Sequence, residues 1–111
     1  MTIEVISRRK GGHRPNTSDG TVVYIGRGTV LGNPFPMAND SDVERARVID
    51  EYRKWINGML NDKNQMVCDE LNKLYRIGKH GKLYLECWCA PKKCHGDIIK
   101  HILEEAIKGE I

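Results

Sequence analysis

Apolar and polar residues alternate along Thr2-Ile3-Glu4-Val5-Ile6-Ser7, and that period of two predicts a strand with one buried side. A second strand is predicted over residues 21–25, after the turn pair Asp19-Gly20. Between them, Arg8-Arg9-Lys10-Gly11-Gly12-His13-Arg14-Pro15-Asn16 keeps no period and reads as a basic loop, either solvated or contacting an anion. Helical spacing begins at Ser41. Val43, Ala46, Ile49, Tyr52, Ile56, Met59 and Leu60 form a stripe that runs through Gly58, with Trp55 at its edge and expected against the sheet. Ser41 and Glu44 have the spacing of a capping box. A second helix is predicted over residues 64–77, with Val67, Leu71, Leu74 and Tyr75 inward and Gly78 as its stop.

The third strand, residues 83–89, places Leu83, Leu85, Cys87 and Cys89 on one face and Tyr84 and Trp88 on the other. Large apolar groups on both faces argue for a central strand covered by helices. The last helix, residues 94–108, has Ile98, Ile99, Ile102, Leu103, Ala106 and Ile107 as its seam. The order strand, strand, helix, helix, strand, helix contains no internal repeat or linker. It predicts one small α/β domain over residues 1–111, a mixed or parallel sheet flanked by helices.

Composition narrows the setting. Hydrophobic residues make up 40% and charged residues 30% of the 111, as in soluble globular chains. No apolar run approaches the roughly 20 residues that span a bilayer, so no membrane association is expected. The N-terminus lacks the basic start and apolar stretch of a secretion signal, and a cytoplasmic location is expected. There the four cysteines, at positions 68, 87, 89 and 94, are expected as thiols, Cys68 as a buried one on the second helix. A net charge of +3 permits nucleic-acid or phosphorylated partners without requiring them.

Two segments carry candidate chemistry. The first, Gly26-Arg27-Gly28-Thr29-Val30-Leu31-Gly32-Asn33-Pro34-Phe35-Pro36, follows the second strand directly. Its glycines allow close backbone approach or positive φ, and its prolines stiffen the exit. Its spacing is neither the dinucleotide fingerprint nor a P-loop. Gly26, Gly28 and Gly32 can present a nest of amides, with Arg27 as a charged clamp and Asn33 as a polar contact; the alternative is a sharp turn with Phe35 plugging the core.

The second segment is Cys87-Trp88-Cys89-Ala90-Pro91-Lys92-Lys93-Cys94-His95, at the junction of a strand and a helix N-terminus. Several readings stand open. Cys87, Cys89, Cys94 and His95 are soft ligands suited to zinc, with the two strand cysteines about 6.6 Å apart and a Pro91 turn bringing the others near, although the spacing is not that of a common zinc knuckle. Cys94 at the helix start beside Lys92 and Lys93 is a candidate thiolate nucleophile, with Cys89 as a further catalytic candidate. His95 is a candidate proton donor or phosphate contact, with Asp97 behind it. Alternatively the cysteines pack as small hydrophobes and His95 caps the turn.

Tyr24-Ile25-Gly26-Arg27-Gly28 with Leu31-Gly32-Asn33-Pro34-Phe35, and Leu85 through Asp97 with its Cys-Trp-Cys-Ala-Pro and Cys-His-Gly-Asp pieces, together resemble the domain of unknown function 4326 family of small bacterial and bacteriophage proteins. The resemblance runs from about residue 20 to residue 103, and the chain departs from it in the basic stretch at residues 8–14. It implies a compact α/β fold with cooperating motif loops, and it implies no reaction. A phage setting points to nucleotide or DNA metabolism, or to interference with host defence.

If the strand at 21–25 lies parallel beside the strand at 83–89, Arg27, Asn33, Cys89, Cys94 and His95 converge in one crevice. The leading expectation is therefore a nucleotide or nucleoside site built by both loops, with processing of the ligand left open. The alternatives are a nucleic-acid-binding module using Arg8, Arg9, Lys10, Arg14, Lys92 and Lys93, and a phage protein that binds a host protein through an exposed apolar patch.

Overall fold

The computed structural model describes residues 2–89 and 92–109; Ala90 and the expected Pro91 turn lie outside them. The elements follow the order β1 (Thr2–Ser7), β2 (Gly20–Tyr24), α1 (Asp42–Asn61), α2 (Gln65–His80), β3 (Lys82–Cys87) and α3 (His95–Lys108). The strands form one sheet in the order β1-β3-β2, with β3 parallel to both neighbours. All three C-terminal ends therefore point the same way. Thr2 pairs with Lys82 and Ser7 with Cys87 on one side, and Gly20 with Lys82 and Tyr24 with Glu86 on the other.

The strand β3 stops two residues short of the expected end, and its neighbours explain why. The Arg8 amide closes on the Cys87 carbonyl at 2.7 Å and the Ile25 amide on the Glu86 carbonyl at 2.9 Å. Past those bonds neither ladder continues among the described residues, and the Cys89 carbonyl accepts from the Lys92 amide at 2.9 Å instead.

Ile3, Leu83, Leu85 and Cys87 share the core with Tyr52, Ile56, Leu71, Leu74, Ile99 and Leu103 from the helices. Full burial of such a side chain contributes about 1.5–3 kcal/mol. The opposite face departs from expectation, because a loop rather than a helix covers it. Tyr84 donates to Asp19 Oδ1 at 2.6 Å and to the Asn16 carbonyl at 3.2 Å. Arg8 and Arg14 both bond Glu86, and His13 meets Glu4 at 2.5 Å. The basic segment is thus the lid of the second face, and Arg8 and Arg14 are committed to a carboxylate.

The helix α1 is phased differently from the expected stripe. Val43 is 83% exposed and Ala46 is exposed, while Arg45, Val48, Tyr52 and Ile56 are buried. Ser41 caps it by accepting from the Glu44 amide, but Glu44 does not reach back; its carboxylate takes the Ala38 amide and Arg47. That company pulls the Glu44 carboxyl down to about 2, Arg47 contributing most. Gly78 does not stop α2. It lies buried inside the helix, where an added Cβ would stand 3.4 Å from Ile3, and Gly81 ends the helix instead. Cys68, expected buried, is half-buried, and Trp55 packs against the core with its ring 5.4 Å from that of Tyr52.

Candidate functional site

The segments leaving β2 and β3 meet above the sheet's C-terminal edge and, with the first half of α1, enclose a pocket of 220 Å³. Tyr24, Gly26, Arg27 and Asn33 come from the first segment, Cys87, Trp88, Cys89, Lys93, Cys94 and His95 from the second, and Met37, Arg45, Val48 and Ile49 complete the wall. Arg27 and His95, far apart in sequence, thus line one hollow.

Backbone crowding shapes the first segment. A Cβ on Gly32 would stand 2.4 Å from the Gly26 carbonyl oxygen, so the chain can cross itself only with glycine there. Gly28 takes a positive φ of 91°. The expected nest is partly closed, because the Thr29 amide donates to the Gly26 carbonyl and the Gly32 amide to the Thr29 carbonyl. Asn33 Oδ1 accepts from the Phe35 amide, an Asx turn, and Arg27 donates to the Asn33 and Phe35 carbonyls at 2.7 and 2.9 Å. Arg27 therefore braces the loop as well as facing the pocket.

The second segment brings three thiols together. Cys87 Sγ lies 3.4 Å from Cys94 Sγ, and the Cys89 amide donates to Cys87 Sγ at 3.4 Å. Cys94 is the N-cap of α3, its sulfur accepting from the Gly96 amide while Asp97 accepts from the Cys94 amide. Gly96 packs closely there, where a Cβ would stand 3.1 Å from side-chain methyls of Ile25 and Val5. Protons are not shared evenly among the sulfurs. Hydrogen bonds from Cys87 and Cys94, with the Arg45 guanidinium alongside, hold the half-buried Cys89 well below the usual thiol range. Cys94, buried and beside Cys87, is pushed up. The amides at the helix start already serve a capping box and Cys94 is enclosed by its neighbours, so its pKa is not drawn down as expected, whereas that of Cys89 is.

His95 is a core residue. Its ring packs edge-on to Tyr52 at 5.1 Å, and Nε2 donates to the Ile25 carbonyl at 2.6 Å. Burial lowers its pKa, so the ring is neutral and Nδ1 is its acceptor. With Nε2 committed to the Ile25 carbonyl, Nδ1 is the ring atom left with a lone pair for a ligand. Among the described residues no group of three or more His, Cys, Asp or Glu side chains has the arrangement to hold a metal ion.

Hydrophobic spacing passes over one wall residue, Arg45. It is 9% exposed, donates to the Lys93 carbonyl at 3.2 Å and pairs with Asp40, and its Nε has no acceptor among the described residues. A signal for it exists in the chain: 45, 48, 52 and 56 keep helical spacing, so a cation stands in phase with the apolar stripe. On the pocket's rim, Trp88 Nε1 donates to the Tyr24 hydroxyl at 3.0 Å, and the Arg8 guanidinium lies 3.9 Å from the Tyr24 ring centre. Lys92 pairs with Asp40, while Lys93 is exposed at the pocket edge. The large exposed apolar residues Val43, Met66 and Trp88 sit at the starts of α1 and α2 and past the end of β3. No helix is long and apolar enough to cross a membrane among the described residues.

Neither curated proteins nor solved structures offer a match to the chain. Residues 6–105 match the family model described as Domain of unknown function (DUF4326), nearly the whole length and both motif segments included, and the chain belongs to that family.

Proposed function

We propose that this protein binds a nucleotide or nucleoside phosphate in the pocket above the strand ends, as a cytoplasmic protein. One observation carries the reading: the pocket's described wall holds Arg27, Arg45 and Lys93 and no Asp or Glu. With three cations in the wall against one acidic thiol, Cys89, the hollow is positive on balance and attracts an anion, and low-dielectric walls strengthen that attraction. Val48, Ile49 and Met37 supply an apolar floor, and the half-exposed Trp88 ring a surface on which a base can stack. Processing of the ligand would draw on Cys89, the sulfur that borders the pocket with its proton most readily lost, rather than on Cys94 or His95. Zinc binding by Cys87, Cys89, Cys94 and His95 is the weaker companion proposal, since no described group has metal-holding geometry.

The nucleic-acid reading has less support. Arg8 and Arg14 pair with Glu86 and Lys92 with Asp40, so three of its six cations already face carboxylates.

Thermal-shift and calorimetric titration with nucleoside monophosphates, free nucleosides, inorganic phosphate and a single-stranded oligonucleotide test the proposal. A nucleoside monophosphate is expected to raise Tm by mass action, its nucleoside less so. Lys93→Ala is expected to weaken that binding by about tenfold, the worth of one charge-assisted contact. Absence of binding by every mononucleotide, or binding of the oligonucleotide alone with steep salt dependence, would overturn it.

A further inference from the structure

A groove between α1 and α3 adjoins the pocket and bears on how long a ligand it takes. We propose that the ligand is a nucleoside di- or triphosphate rather than a monophosphate, its distal phosphates lying in that groove against Arg53 and His101; this rests on the nucleotide reading of the pocket.

Size, continuity and charge carry the assignment. The pocket holds 220 Å³, less than the roughly 300 Å³ at which small-molecule sites begin. A second hollow of 400 Å³ lies against it, and Ile49, Lys93 and Cys94 line both. The helix α1 runs along the two: Arg45 borders the first, Ile49 both and Arg53 the second, at steps of four that keep them on one side of the helix. Arg53 therefore stands about 12 Å further along the helix than Arg45, and Lys93 marks the place where the hollows meet. From α3, Asp97, Ile98 and His101 form the opposite wall of the groove.

The groove is positive on balance. Arg53 and Lys93 are cations, His101 offers a ring N–H, and Asp97 is the one carboxylate of the described wall. Asp97 is engaged already, accepting from the Cys94 amide at 3.0 Å in the capping box of α3. Arg53 is easily recruited. Its side chain is 57% exposed, its ion pair with Asp50 is long at 3.7 Å, and Asp50 keeps Lys54 at 3.2 Å when Arg53 leaves. An exposed pair of that kind contributes little, whereas a phosphate offers a guanidinium two parallel hydrogen bonds. A single phosphate held at Lys93 leaves Arg53 and His101 unused; a second or third phosphate continues along the groove to them.

Calorimetric titration of the full-length protein with the mono-, di- and triphosphates of adenosine, guanosine, cytidine and uridine, in magnesium-free buffer, tests the assignment. For the base that binds, the diphosphate is expected to bind about tenfold tighter than the monophosphate, the yield of one further charge-assisted contact. Arg53→Ala, an exposed substitution by a strong helix former, is expected to keep the helical circular dichroism and to bring that ratio close to one. Lys54→Ala removes the neighbouring cation, which lines neither hollow, and is expected to retain the tenfold ratio. Equal affinities for mono- and diphosphate, a ratio that survives Arg53→Ala, or a ratio lost equally in Lys54→Ala overturns the distal-phosphate site and leaves the nucleotide reading of the pocket standing. Absence of binding by any of these nucleotides overturns both.

Discussion

Gly32 sets the geometry of the pocket through what it lacks. Its missing Cβ would fall 2.4 Å from the Gly26 oxygen and 3.1 Å from the Arg27 Cα, and both obstacles are backbone, so no rotamer change relieves them. Gly32→Ala is expected to cost about 1–3 kcal/mol in urea denaturation, as overpacking does. Gly58→Ala is its counterpart with the opposite sign. That glycine lies within α1, and a Cβ added to it would meet nothing within 4 Å, so the substitution is expected to stabilise by up to about 1 kcal/mol through helix propensity. Equal responses at the two positions would refute the crossing-point account. The glycines of this loop are legible in the sequence as a place of close approach; which amides the loop consumes internally is not. That Arg27 turns back onto the Asn33 and Phe35 carbonyls depends on where those carbonyls point around two prolines, which residue identity alone does not tell.

At the scale of elements, alternation and helical spacing give the order of strands and helices correctly, because each carries a long apolar period. Ends and phases are harder. A hydrophobic count draws the stripe of α1 through Val43 and Ala46, whereas the burial of Arg45 and Val48 shows it rotated toward the pocket. A charged residue hides a helix phase from such a count, since the aliphatic stem buries while the guanidinium bonds Lys93 and Asp40. Gly78 breaks its expectation for a related reason: it serves helix-to-strand contact with Ile3 rather than termination. Of the capping box at the start of α1, the first half holds. Ser41 accepts from the Glu44 amide at 3.2 Å, and Ser41→Ala is expected to lower stability by about 1 kcal/mol. Unchanged stability would mean that the Ala38 and Asn39 contacts to Glu44 and Ser41 hold the helix start unaided.

For the whole molecule, the sheet's two faces are secured by different forces, and only one of them is visible as a pattern. The helices bury an apolar face, whereas the loop over residues 8–19 is held by charge to a strand that carries Glu86 between Leu85 and Cys87. Glu86 is 5% exposed, and burial alone would raise its pKa; Arg14 and Arg8 outweigh burial and hold it below its ordinary value of 4.5. A carboxyl depressed by folding stabilises the native state above its unfolded pKa, and that contribution disappears as pH falls through the folded value. Urea denaturation of the wild type is therefore expected to show stability falling as pH drops below about 4.5. Glu86→Gln should flatten that part of the dependence and cost about 1–3 kcal/mol near neutral pH, the arginines being nearly half exposed and partly screened. Parallel pH curves for the two proteins would show that Glu86 is not the anchor. The same substitution reaches the pocket, because Arg8 links Glu86 to the Tyr24 ring, and Tyr24 holds Trp88 at the rim. A loosened lid on the second face should therefore free Trp88 as well, and its fluorescence should shift toward that of a solvated indole in Glu86→Gln while the helical circular dichroism stays unchanged.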